Sequence, residues 1–548
     1  MKPSHILLPV TLSLLVAACG APETKSQPVT VSADESNLRA HLEFLADDDL
    51  KGRETGSDEH EVASNYIVSE FKQLGLEPAG DDDTFYQRVP FRKSTLKENS
   101  ASMSFKSNGE TLEFEFPKQF ITGPSHYSEK DEITAPLVFV GYGMEAPEFG
   151  LNDYQDLNVE GKIVVMLTGR PGFLPSEEGA HLANIKSDIA REKGAVGIIT
   201  LHTPVREKTR KYETSVYYTK TPRMTWLGPN GLPKGEEQQL MGSAYLDDEP
   251  AKQLFADAPT SLNTIFEKIE EDPDFSPKGF ELDGSVTLAR ESRHEEISSP
   301  NVAAVLPGSH DTLKDEYVVY TAHSDHIGVV KDMSRDDNIN NGAMDNASGV
   351  SVMLETARLF VESGQEFDRS IMFLSVTAEE KGLLGADYFA NNPTVPLNNI
   401  VANVNLDMPV LLYDFADVIA FGASHSTLGE TVSKAAKQFD TEQSPDPMPE
   451  QAIFTRSDHY TLVKKGIPAV FLMTGFNSRT EGEDGGEVWG EFFAEHYHKP
   501  SDEISLGINY EAGARFTNIN FAIGKEIANA DQRPQWLENS FFGKQFND

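Results

Sequence analysis

Apolar and polar positions along the chain fall into stretches of different rhythm. Residues 6–18 are apolar apart from Pro9, Thr11 and Ser13. Leu38, Leu42 and Leu45 recur at helical spacing over residues 37–46, and residues 62–74 predict a second amphipathic helix closed by Gly75. From residue 85 to 120 the pattern alternates, which predicts strands, and Asn108-Gly109 marks a hairpin between two of them. Residues 137–140, 161–167 and 195–201 read as apolar strands, with a helix over 185–193 closed by Gly194. From Asn301 onward, strand, loop and helix alternate. Apolar strands at 302–306, 317–321, 371–376, 400–406 and 469–473 are interleaved with helices near 350–360, 382–391 and 510–530. This alternation predicts an α/β fold with helices on both faces of the sheet.

The length of 548 residues predicts more than one domain. A formal net charge of −40 argues against nucleic acid, whose backbone repels such a surface. At the amino end, Lys2 precedes an apolar run too short to span a membrane, which predicts an export signal over residues 1–18. Cys19, the only cysteine, follows Leu15-Val16-Ala17-Ala18. This resembles the bacterial lipobox and predicts an exported lipoprotein, lipidated at Cys19 and held to a membrane through a polar tether over 19–36. No thiol then remains for a disulfide, a metal site or a nucleophile.

The chemistry concentrates where strands end. His323 and Asp325 close the strand at 317–321, and Asp345 stands just before Asn-Ala-Ser-Gly, ahead of a helix. Asp325 is placed to hold the His323 ring in one tautomer. Glu379, Glu380 and Asp407 follow the next strands, and His498 lies in Tyr497-His498-Lys499-Pro500. Open α/β sheets place their sites at such carboxyl ends. Two histidines and several carboxylates suit zinc. They are too many for one catalytic ion and fit two ions sharing a carboxylate, with one of the Glu379–Glu380 pair left free as general base. By contrast, the unit between about 131 and 285 carries no such cluster and reads as an inserted module.

The motifs AHSDH, DNASG, AEEKGLLGA, NLDM, RSDH and YHKPSD occur in an order that resembles the di-zinc aminopeptidase family of bacterial leucyl aminopeptidase, aminopeptidase Y and glutamate carboxypeptidase. The early LKGRETGS and the GKIVVM of the insert are similar to members with an inserted protease-associated domain. The resemblance implies a mixed central sheet with helices on both faces, the zinc exopeptidase fold, interrupted by a mostly β insert. It implies a first peptidase segment over 37–130, the insert over 131–285 and a second segment over 286–548. Asp345 would bridge two Zn2+ ions, with His323 and Asp407 on one and Glu380 and His498 on the other. Glu379 would be the general base for a metal-bridged hydroxide, and Asp325 would orient His323. Arg456 and Tyr460 are candidates for stabilising the tetrahedral intermediate. Met344 departs from an Asp common in the family, and His496 lies off the motif. The implied activity is an exopeptidase acting on peptides, an aminopeptidase first, with a carboxypeptidase, a glutaminyl cyclase or a non-catalytic binding lipoprotein as rivals.

Overall fold

Four strands made almost wholly of apolar residues run parallel through the centre of the chain: Ser370–Val376, Tyr317–His323, Ile400–Leu406 and Ala469–Thr474, side by side in that order. Strands of this kind are buried on both faces, and these are. A computed structural model describes residues 31–235, 240–330 and 337–547. Residues 1–18, expected to form an export signal, and Cys19 lie outside them.

Alternate side chains of the central strands face opposite cores. Val318, Tyr320, Ile371 and Phe373 pack under the helices Glu35–Leu45, Asp58–Gln73, Gly349–Glu362 and Tyr510–Ala528. Val319, Met372 and Leu374 pack against Phe389 of the helix Leu384–Asn391 and Leu462 of the helix His459–Val463. On one flank the sheet continues antiparallel through Phe280–Leu306, Tyr86–Leu96 and Arg223–Trp226. On the other it ends in Asp417–Phe421 and Glu442–Ser444. The result is the expected mixed sheet with helices on both faces.

A second sheet is built on the same 27-residue strand, Phe280–Leu306. Its first half lies between Ser102–Ser107 and Lys130–Phe139. The sheet runs on in parallel through Ile163–Leu167, Gly197–Leu201 and Gly242–Leu246. Two features differ from expectation. The core of this unit includes Met103, Phe105, Phe114 and Phe120, so its first strands come from the stretch assigned to the first peptidase segment. Alternation alone does not say which sheet a strand joins. The unit is also not mostly β, because the helices Ser176–Asn184, Lys186–Glu192, Asp248–Leu254 and Leu262–Glu271 belong to it. Among the described residues, no helix is long and apolar enough to cross a membrane.

Candidate metal centre

His323 is the last residue of its strand, and the neighbouring parallel strands stop level with it, so Glu379, Glu380 and Asp407 emerge from adjacent strand ends. Asp345 arrives from the irregular turn Ala343–Ser348, which contains a cis Asp345–Asn346 peptide. The Asn346 side chain ties this turn to the next strand end, donating to the Leu406 carbonyl at 3.0 Å and accepting from Gly349 and Met408 backbone N–H groups. Ala378, Met408 and His498 all hold positive φ angles beside or within the site. Non-glycine residues adopt that region at a cost, and such strain gathers at functional sites.

The side chains meet in two groups that share Asp345. In the first, His323 Nε2 lies 3.2 Å from Asp345 Oδ1 and 3.2 Å from Asp407 Oδ1. In the second, His498 Nε2 lies 3.1 Å from Asp345 Oδ2 and 3.3 Å from Glu380 Oε2. Atoms bound to one tetrahedral zinc at about 2.0–2.1 Å stand about 3.3–3.4 Å apart, so both groups have the spacing of a zinc donor set. The charge balance points the same way. Burial opposes charge on His323, yet Glu379, Asp407 and Asp345 hold its pKa well above the ordinary value. Burial, with Glu380 and Asp407 adding to it, pushes Glu379 well up. A buried cluster so rich in carboxylates is one that cations complete. Glu379 stands off the first group, its Oε2 3.9 Å from His323 Nε2.

The supporting bonds show what holds this geometry. Ser457 Oγ donates to Asp407 Oδ2 at 2.6 Å. Asp502 accepts from the Met344 and Asp345 backbone N–H groups at 2.9 and 3.1 Å. Asp325 is fully buried and accepts from Thr55 Oγ1 at 3.0 Å and from the Glu379 N–H at 3.1 Å. Its relation to His323 differs from expectation in detail: Nδ1 is 3.1 Å from the Asp325 backbone carbonyl and 3.9 Å from its carboxylate. The carboxylate instead braces the Glu379 backbone. Asp458 lies buried nearby with no hydrogen-bond partner for its carboxylate among the described residues, and burial, helped by Asp407, pushes its pKa up to about 8.

Of the two candidates for stabilising the intermediate, the structure separates one from the other. The Tyr460 hydroxyl is engaged by His181 Nδ1 of the inserted unit at 2.6 Å. Arg456 lines the recess beside Asp345, Glu379 and Asp407, and its Nη2 donates to the Tyr497 hydroxyl at 3.0 Å. Tyr497 stacks on the His498 ring with centroids 3.8 Å apart. Sequence reading missed Tyr497, although it adjoins His498. It also missed His326, the second histidine of AHSDH. His326 is fully buried with Nδ1 2.6 Å from Glu380 Oε1, a close contact out of line for a regular hydrogen bond. His496 instead faces Ser501 at 2.9 Å.

Two cavities open on the centre. One is a small recess of about 30 Å³ walled by Met408, Ile453, Phe471, Met473 and Phe493. The other, of about 530 Å³, is lined by Asn184 of the inserted unit, by Trp226 at the edge of the peptidase sheet with Lys234 beyond it, and by Glu379, Glu380 and His498.

The site is thus a pair of imidazole–carboxylate groups at the carboxyl edge of a parallel-centred α/β sheet. Residues 301–523 match the model for Peptidase family M28. A probable leucine aminopeptidase 2 of Aspergillus oryzae is 26% identical over 239 residues, covering 42% of this chain and 44% of the relative. A probable zinc metalloprotease of Pyrenophora teres is 33% identical over 151 residues, covering 26% of this chain and 30% of the relative. The chain thus spans less than half the length of these curated relatives. The solved aminopeptidase from Aneurinibacillus sp. strain AM-1 shares the fold with a TM-score of 0.51 at 19% identity, over 92% of this chain and 96% of that one.

Proposed function

We propose that the protein is a zinc-dependent exopeptidase that removes residues from the amino end of peptides. The observation that carries this reading is the pair of donor sets joined by Asp345, with Glu379 held 3.9 Å off the nearest imidazole. His323, Asp345 and Asp407 would hold one zinc ion, and Asp345, Glu380 and His498 a second. Zinc there supplies Lewis acidity, which polarises a peptide carbonyl and brings the pKa of water down to about 7. The protein's own groups do the rest. Glu379 accepts the proton of the attacking water and returns it to the leaving amine nitrogen. Tyr497, its hydroxyl held by Arg456, donates to the carbonyl oxygen as negative charge gathers there. The apolar recess accepts the first side chain. The inserted unit, read as a protease-associated domain, walls the larger cavity and limits access to chain ends and short peptides.

The motif at Cys19 supports export and lipid anchoring. Stable anchoring needs more than one acyl chain, which a bacterial lipoprotein cysteine supplies. Cys19→Ser should move an exported protein from the membrane to the soluble fraction; an unchanged distribution would remove the anchor.

Two assays test the activity. Exhaustive chelation should abolish hydrolysis of aminoacyl substrates, and zinc should restore it. N-blocked peptides should resist cleavage. Full turnover in metal-free protein, or rapid internal cleavage of N-blocked peptides, would overturn the reading.

A further inference from the structure

We propose that His326 is a positioning residue for Glu380, fixing one oxygen of that carboxylate so that the other faces the second donor set. The proposal rests on the metal reading above and adds a residue to it. The distances separate ligands from supports. His498 Nε2 stands 3.1 Å from Asp345 Oδ2 and 3.3 Å from Glu380 Oε2, close to the spacing of atoms sharing one tetrahedral ion. His326 Nδ1 stands 2.6 Å from Glu380 Oε1. That is too close for two ligands of the same ion and falls at the short end for a charge-assisted hydrogen bond. The two atoms are in contact but out of line for a regular hydrogen bond. Oε1 has no other partner among the described residues, so His326 is the group available to hold it.

The ring is itself held. The His326 backbone N–H donates to the Arg53 carbonyl at 3.2 Å. The ring lies edge-on to His498, with centroids 5.9 Å apart, and is fully buried. Against its other side lies Gly342, where an added Cβ would come within 2.6 Å of His326 Cδ2. A ring packed this closely presents Nδ1 in one direction. Outer partners of this kind orient metal-binding carboxylates, and their loss costs roughly 10–100-fold in metal affinity.

The test is zinc content per chain across a graded chelator series, with thermal melting as the control for folding. Wild-type protein should hold two zinc ions. His326→Phe, or His326→Ala if the larger ring does not fold, should release one ion at about 10–100-fold less chelator and keep the other. His326→Asn, whose amide N–H takes the place of Nδ1–H, should recover most of that loss. Retention of both ions at wild-type affinity in His326→Phe or His326→Ala would overturn the proposal. So would His326→Asn losing the second ion as completely as His498→Ala, which would make His326 a ligand. Wild-type protein holding fewer than two ions would instead overturn the di-zinc reading itself.

Discussion

Glu379 and Glu380 are adjacent in the chain and face different tasks. Glu380 Oε2 lies among the donors of the second group, whereas Glu379 Oε2 keeps 3.9 Å from His323. Glu379→Gln should therefore leave zinc content unchanged and cut turnover by about 10²–10⁴-fold, the range for losing a general base. Glu380→Gln should lower zinc content and activity together, because a neutral amide is a poorer donor than a carboxylate. Zinc analysis beside steady-state kinetics on both variants reads this out, and loss of zinc from Glu379→Gln would reverse the assignment. Tyr497 is held at 3.0 Å by Arg456 and lines the recess at the centre. Tyr497→Phe keeps the ring stacked on His498 and removes only the hydroxyl. It should lower kcat by about 10²-fold with little change in KM, as expected for a donor used in the transition state. Tyr460→Phe should leave kcat nearly unchanged, since that hydroxyl is taken by His181.

At the scale of elements, the turn between the first two helices holds the metal loops in place. Arg53 is fully buried, and its guanidinium donates to the carbonyls of Ser324 at 3.0 Å, Asn341 at 2.7 Å, Gly342 at 3.2 Å and also Leu45. It thereby ties the His323 loop to the approach to Asp345. Burial lowers its pKa to about 10 although Asp325, Asp502 and Asp345 act to raise it, so the charge persists at neutral pH. Arg53→Met removes the donors and leaves several buried carbonyls unpaired, at about 1–3 kcal/mol each. The expected loss is at least about 3 kcal/mol in denaturant unfolding, together with weaker zinc binding. Gly52 permits this turn. Its φ is +68°, and a Cβ there would sit 2.2 Å from the Asn340 carbonyl oxygen, so Gly52→Ala should be similarly destabilising. A normal melting temperature in both variants would show that the turn is not needed to hold the loops.

At the scale of the molecule, one continuous strand, Phe280–Leu306, belongs to both sheets and sets the inserted unit beside the centre. Side-chain contacts fasten the two units. Glu177 Oε2 of the inserted unit meets His425 Nε2 at 2.8 Å, and Trp226 Nε1, on the strand that edges the peptidase sheet, donates to Asp387 Oδ2 at 2.6 Å while Lys234 pairs with the same carboxylate at 2.7 Å. Trp226 and Lys234 also wall the 530 Å³ cavity. Asp387→Ala should free both side chains and loosen that wall. The expected result is a higher KM for tripeptides, with kcat and zinc content near wild type. An unchanged KM would separate that wall from substrate binding.

The sequence by itself determined the parallel apolar strands, their alternation with helices and the residue types at each strand end. Those features follow from local periodicity and from the chemistry of His, Asp and Glu. The pattern could not show which sheet residues 102–121 would join, because an alternating strand looks the same at either edge. Nor could it show that Arg53 would reach Asn341 and Gly342, nearly three hundred residues away. Tyr497, Ser457, Asp502 and His326 stand inside recognisable motifs, yet their partners become visible only when distant strand ends meet. Asp325 illustrates the limit: its place two residues after His323 was legible, but not that its carboxylate would turn to Thr55 and the Glu379 backbone. Tertiary structure decided these matters because a hydrogen bond depends on position and direction in space, and spacing along the chain specifies neither.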